Sequence, residues 1–362
     1  MQQTILDQDI SYIKSKFGDD SLFQNKKIAI TGCGGFLGYY LTHYFANLCN
    51  IEKPIDSLYL LDNFMLGKPE WITEIQRKNP GKIILQRFDV TKDSFESIKG
   101  LDNIDYVLHL ASIASPTFYR KYPIETLDAN VWGLRQILDY YHDKPIKGLL
   151  FFSSSEIYGD PDPLKVPTHE EYRGNVTCTG PRACYDEAKR FGETMCYIFA
   201  EKYNMPIGVA RPFNNYGPGM SLGDKRVPSD FANAVIKNQD IEILSDGSPK
   251  RTYCYVADAV VGYLKVLTYG KYDYFNIGIE KPEISVRELS DIYKRKGEKL
   301  CSYSGNITFK ESMDKHYLTD NPNRRCPCID KARKLLNYEP EIQVEQGVER
   351  YLKFLLERSV NI

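Results

Sequence analysis

A short apolar segment that runs straight into three spaced glycines constrains this chain more than anything else in it. Lys27-Ile28-Ala29-Ile30-Thr31 has the composition of a buried strand, and Gly32, Gly35 and Gly38 follow with G-x-x-G-x-x-G spacing before a helical stretch opens. Glycine lets a tight turn take positive φ, lets backbone approach a pyrophosphate, and lets a helix lie close on its strand. The first helical turn then offers unpaired N–H groups and a partial positive charge to phosphates. Gly32, Gly35, Phe36, Leu37 and Gly38 are therefore read as a dinucleotide cradle. The context strengthens that reading, because a second strand, Leu58 to Asp62, ends in an acid suited to ribose hydroxyls. Asp62 also repels a 2′-phosphate, and neither Asn63 nor Phe64 supplies the cation that NADP needs, so NAD is the expected cofactor. Asn63 joins Asp62 in the cofactor set, with Asp89 and Val90 at the end of a third strand toward the adenine and Leu110 and Ala111 after a fourth.

From Lys26 onward apolar strand segments alternate with helical ones. Ile83 to Phe88, Tyr106 to Leu110 and Leu149 to Ser153 are further buried-strand segments. Helices are expected at Tyr39 to Asn50, Ser94 to Gly100, Pro123 to His142 and Ala183 to Tyr203. Strands apolar on both faces, alternating with helices, indicate an α/β fold: a doubly wound parallel sheet of Rossmann type, covered by helices on both sides. The alternation weakens after Met205, as expected of a smaller C-terminal substrate-binding lobe. The expected division is a helical extension over 1–25 and a cofactor domain over 26–216, to which 252–278 return. A substrate lobe takes 217–251 and 279–345, and a C-terminal helix 346–362. In the extension, Ile5, Ile10, Ile13 and Phe17 fall on one helical face with charges expected opposite.

The net charge of −1 gives no general attraction to nucleic acid or anionic membrane, so a phosphate-bearing ligand must be held by local features. No apolar run approaches the length of a membrane helix, and the N-terminus lacks the basic-then-apolar order of a signal peptide. A cytoplasmic protein with free thiols is expected. Its nine cysteines are scattered, and Cys326 and Cys328 lack a second pair of zinc-ligand spacing, so no metal is expected.

Tyr185 and Lys189 stand four residues apart on a predicted helix and so share a face. A tyrosine with an ordinary pKa near 10 is a poor base, and a nearby lysine cation favours its phenolate, which can take a proton from a sugar hydroxyl. Upstream, Phe152-Ser153-Ser154-Ser155-Glu156-Ile157-Tyr158-Gly159 ends a strand at the carboxyl edge, where open α/β sheets bind ligands. The order of glycine loop, Ser-Ser-Ser-Glu-Ile-Tyr-Gly, Tyr-x-x-x-Lys and Arg211-Pro212-Phe213-Asn214 resembles the extended short-chain dehydrogenase/reductase family. Within it, His109 to Pro116, Ser155 to Pro161, Cys184 to Arg190 and Arg251 to Val256 look like the UDP-glucuronate decarboxylases.

That resemblance implies an NAD-dependent enzyme acting on a nucleotide-sugar, a UDP-sugar favoured, as a homodimer. It implies that Ser154 hydrogen-bonds the sugar O4 beside Tyr185, with Ser155 and Glu156 at the C5/C6 end. Asn214 and Arg251 would meet the diphosphate, Arg226 and Ser115 would face the ligand, and Arg325 would lie near a substrate carboxylate. Oxidation at C4 makes a β-keto acid, which loses CO₂ because the carbonyl accepts the electron pair. In the 4,6-dehydratase branch an Asp-Glu pair expels the C6 hydroxyl, and here Ser155 stands in the Asp position. A 4-epimerase, a dehydratase with other acid chemistry, and a non-catalytic NAD-binding protein stay open as alternatives. The chain departs from the family at Cys33, Gly34, Cys328 and Pro228-Ser229-Asp230.

Overall fold

The computed structural model describes residues 3–316, 319 and 321–359. Residues 1–2 of the expected extension and 360–362 of the expected C-terminal helix lie outside them. Seven parallel strands form the central sheet: β1 (Lys27–Thr31), β2 (Ser57–Asp62), β3 (Ile83–Arg87), β4 (Tyr106–His109), β5 (Gly148–Phe152), β6 (Ile207–Pro212) and β7 (Asp273–Ile277). Their order across the sheet is β7-β6-β5-β4-β1-β2-β3. The chain leaves β1 toward β2 and β3, then returns to lay β4 on the other side of β1. That reversal opens a crevice at the carboxyl ends of β1 and β4, and ligands of doubly wound sheets bind in such crevices. The expected α/β fold of Rossmann type is observed.

The helices, in chain order, are α1 (Ile5–Phe17), α2 (Phe36–Asn47), α3 (Glu70–Lys78), α4 (Pro116–Lys121), α5 (Pro123–Asp128), α6 (Leu134–Tyr141), α7 (Ala183–Tyr203), α8 (Val227–Ile236), α9 (Val256–Leu267), α10 (Val286–Cys301), α11 (Asp330–Leu336) and α12 (Val344–Ser359). Beside the sheet, Ile241–Ile243 pairs with Ile307–Phe309, while Lys250–Arg251 is flanked by Ile284–Ser285 and Arg324–Arg325. With α8 and α10 these small sheets cover the carboxyl edge of the main one.

Several sequence expectations need correction. The helix expected over Ser94 to Gly100 is instead two 3₁₀ turns, Phe95–Ser97 and Leu101–Asn103. Ser94 accepts a bond from the Glu96 amide and Gly100 turns left-handed at φ 96°, so capping consumes the segment before a full α-turn forms. The span Pro123 to His142 is interrupted by a π-helical turn at Ala129–Gly133. There Asn130 donates to the Thr126 carbonyl at 2.7 Å, and Gly133 lies where a Cβ would come within 2.6 Å of Val90. The helix after the glycine loop starts at Phe36, three residues before the expected Tyr39.

Helix α1 is bounded by a Thr4–Asp7 capping box and by Gly18 at φ 91°. Ile5, Ile10, Ile13 and Phe17 are buried as their spacing implied, but charge is not confined to the opposite face. Asp9 lies wholly inside, ion-paired with Arg350 of α12 and accepting the Tyr40 and Tyr255 hydroxyls at 2.6 and 2.7 Å. All nine cysteines are free thiols. No helix among the described residues is long and apolar enough to cross a membrane.

Candidate active site

One cavity of about 1360 Å³ runs along the carboxyl edge of the sheet, and every site residue expected from the sequence lines it. At one end is the glycine turn. Gly32 sits at φ +72°, and a Cβ there would stand 2.5 Å from the Ala111 nitrogen, so β1 and β4 can approach only through glycine. A Cβ on Gly38 would meet the Cys33 carbonyl at 2.3 Å, which lets α2 start directly against the loop. Asp62 closes this end. Its two oxygens accept the amides of Gly34 at 2.9 Å and Phe64 at 2.7 Å, leaving one acceptor site on each for ribose hydroxyls. Asn63, Asp89, Val90, Leu110 and Ala111 lie along the same wall, and Asn63 reaches Asp89 at 3.5 Å. A cradle in which two glycines cannot carry a side chain, with an acid beyond it, fits NAD.

The middle of the cavity holds the tyrosine and lysine of α7. Tyr185 is buried and stacks on Tyr119, ring centroids 5.2 Å apart. Burial pushes its phenol up to about 12, although a Ser154 hydrogen bond and the Arg226 cation work the other way. Lys189 donates to the Phe152 carbonyl at 2.6 Å, and its ammonium is 5.6 Å from the Tyr185 ring centroid. Burial drives this lysine down to about 7. The support expected from Lys189 for the phenolate is therefore modest in the protein alone, because burial opposes both charged forms.

At the far end, Ser154 caps the 3₁₀ turn Ser155–Tyr158 by accepting the Glu156 amide at 3.2 Å. The turn aims Glu156 at two guanidiniums. Arg325, carried on the small sheet, grips it through both nitrogens, one at 2.7 Å, and Arg182 pairs with the same carboxylate. Burial opposes ionisation of Glu156, but the two arginines outweigh it and hold its carboxyl well below the usual carboxylate range. A carboxylate held ionised in this way is not a ready proton donor in the protein alone. Ser155 is buried beside it.

The expected diphosphate ligands stand between these ends. Arg251 is buried, and its guanidinium is held by the carbonyls of Lys250, Pro322 and Asn323 and by the Asn321 side chain. Among the described residues no carboxylate pairs with it. Burial and the nearby Arg325 cation lower it to about 10, as befits a fixed cation without its counter-ion. Asn214, at φ 45°, donates to the Thr252 carbonyl at 3.0 Å. Arg226 pairs with Asp224 and lies 5.6 Å over the Phe36 ring, while Ser115 donates to the Asp224 carbonyl at 2.6 Å.

Sequence reasoning missed Arg182 and Tyr119. Arg182 was within reach, since it precedes Tyr185 by three residues at the start of the same helix and so falls on its face. Tyr119 carries no such signal, because its contact with Tyr185 joins α4 to α7. Near Cys328, Glu280 and Asp330 come within 4.8 Å of one another, yet both carboxylates pair with Arg333, which accounts for them without a metal.

A family model described as the NAD dependent epimerase/dehydratase family matches residues 28–278. UDP-glucuronic acid decarboxylase 1 of Arabidopsis thaliana is 33% identical over 339 residues, 92% of this chain and 71% of that protein. The Xenopus tropicalis protein of the same name is also 33% identical, over 93% of this chain and 74% of its own length. Among solved structures, an epimerase of Methanothermobacter thermautotrophicus superposes with a TM-score of 0.79 at 26% identity, covering 97% of each chain. The UDP-glucuronic acid 4-epimerase of Bacillus cereus, solved with UDP-glucuronic acid and NAD, gives a TM-score of 0.72 at 22% identity over 92% of this chain and 99% of its own.

Proposed function

Because the chain belongs to the NAD-dependent epimerase/dehydratase family, we propose that it decarboxylates UDP-glucuronate through a 4-keto intermediate, yielding UDP-xylose or the UDP-4-keto-pentose. The observation that carries this reading is the pair of buried guanidiniums, Arg325 and Arg182, converging at one end of the cavity that also holds Tyr185 and Ser154. Cations with so little exposure suit a sugar that bears a carboxylate at C6. The decarboxylase relatives, similar over nine-tenths of the chain, support the same reading.

The glycine turn and Asp62 would hold NAD, which when bound would supply a reversible two-electron oxidant for C4. Tyr185 takes the proton from O4, and Ser154 hydrogen-bonds that oxygen and holds the phenol in line. Arg325 and Ser155 orient the C6 carboxylate so that the C5–C6 bond lies across the plane of the new C4 carbonyl. The electron pair can then pass into that carbonyl as CO₂ leaves. Arg251 and Asn214 take the diphosphate, with Arg226 and Ser115 completing the ligand contacts. A homodimer belongs to this proposal, paired through exposed apolar side chains of α5, the following π-turn and α7.

The test is incubation with UDP-glucuronate and NAD followed by mass spectrometry. Loss of one CO₂ is expected. A product of unchanged mass would assign a 4-epimerase, loss of water a dehydratase, and no conversion a non-catalytic protein.

A further inference from the structure

Behind the Arg182–Glu156–Arg325 cluster lies a fourth charged group that the proposed mechanism does not use. Asp186, next to Tyr185 on α7, is almost wholly buried, and its Oδ2 lies 3.4 Å from Arg182 Nε. Its Oδ1 is buried with no hydrogen-bond partner among the described residues. Arg182 is thus shared by two carboxylates, Glu156 on one side and Asp186 on the other, while Arg325 faces Glu156 alone. With these groups ionised the four charges cancel, and the neighbouring Arg251 cation is left for the diphosphate. A third carboxylate, brought by the sugar onto the same two guanidiniums, leaves one negative charge uncompensated in a buried place, and a charge there is costly.

We propose that Asp186 is a positioning residue that couples docking of the sugar carboxylate to uptake of one proton, acting through the guanidinium it shares with Glu156. This inference rests on the decarboxylase reading. Asp186 is the group placed to yield. Burial and the neighbouring Glu156 charge raise its carboxyl to about 7, with Arg182 and Arg325 opposing, whereas Glu156 is held well below the usual range. Besides the Arg251 cation on the small sheet, the remaining ionisable groups at this end are three: Tyr119 from α4, and Cys184 and Tyr185 on α7 itself. Burial raises all three, so they stay neutral near pH 7.

The proton also fits the chemistry. As the C5–C6 bond breaks, its electron pair stays on C5 conjugated with the C4 carbonyl, CO₂ leaves uncharged, and a new C5–H bond needs one proton. The decarboxylation step therefore consumes one proton, and the coupling brings one into this end of the site with the substrate.

Calorimetry of UDP-glucuronate binding to the NAD complex of Tyr185→Phe, repeated in buffers of different ionisation enthalpy, reads the coupling. Proton uptake is expected, growing as pH rises through 7, and affinity should fall over the same range. UDP-glucose, which lacks the carboxylate, should show neither. Adding Asp186→Asn, which preserves an acceptor for Arg182, should abolish the uptake and make the affinity independent of pH. The upper limb of the kcat/KM profile should flatten in Asp186→Asn alone. Binding of UDP-glucuronate without proton uptake, or uptake that persists in Asp186→Asn, overturns the inference even if CO₂ is released. Failure to release CO₂ overturns the decarboxylase reading, and the inference with it.

Discussion

Two side chains of the site divide the labour in time. With Tyr185 as the proposed base at O4, Tyr185→Phe should abolish the first oxidation, with no nicotinamide absorbance appearing in a single turnover. Loss of a general base typically slows a reaction by about 10²- to 10⁴-fold, and NAD affinity should hardly change. Glu156 touches only the carboxylate end, where it is gripped by Arg182 and Arg325. Glu156→Gln keeps the shape and removes the charge. It should therefore slow CO₂ release more than oxidation, so that reduced cofactor or a 4-keto acid accumulates in rapid-quench experiments. Equal failure of both variants at the oxidation step would falsify this division and make Glu156 a residue that only holds the arginines.

Among the elements, the loop between β1 and α2 is the least tolerant of change. A Cβ on Gly38 would overlap the Cys33 carbonyl at 2.3 Å, and backbone on both sides leaves nothing flexible to yield. Gly38→Ala should force α2 away from β1, with NAD binding lost before the fold is, as read by cofactor titration beside thermal unfolding. At the other side of the loop, Asp62 keeps one acceptor site on each oxygen, which the proposed reading assigns to the ribose hydroxyls. Titration with both cofactors should show preference for NAD, and equal affinity for NADP would remove Asp62 from its role. Two of the element boundaries that sequence reasoning misplaced share one cause. At Ser94 and at Asn130 a short polar side chain bonds to nearby backbone and redirects the chain, a local competition that hydrophobic periodicity does not register.

For the molecule as a whole, two surfaces of opposite character matter. Trp132 of the π-turn and Phe191, Tyr197 and Ile198 of α7 are 58%, 51%, 50% and 50% exposed, more large apolar surface than a lone protomer needs. Light scattering at micromolar concentration should give a dimer, and joint Phe191→Glu and Ile198→Glu substitution a monomer. On the opposite side, α1 is sewn to the body through Asp9, which joins Arg350 of α12 to Tyr40 and Tyr255. Breaking a buried pair by removing one partner costs about 3–5 kcal/mol. Asp9→Ala should lower the unfolding midpoint by that free energy in denaturant titration while leaving NAD affinity in place. The sequence by itself determined the sheet, the glycine cradle, the acid that ends β2 and the Tyr185–Lys189 face, because each rests on local spacing or period. Only the tertiary structure decided which charges meet. Arg325 reaches Glu156 across 169 positions of chain, Arg350 reaches Asp9 across 341, and Arg182 stands between Glu156 and Asp186. Such pairings come from the crossing of separate elements, and no period or motif within one of them encodes its partner.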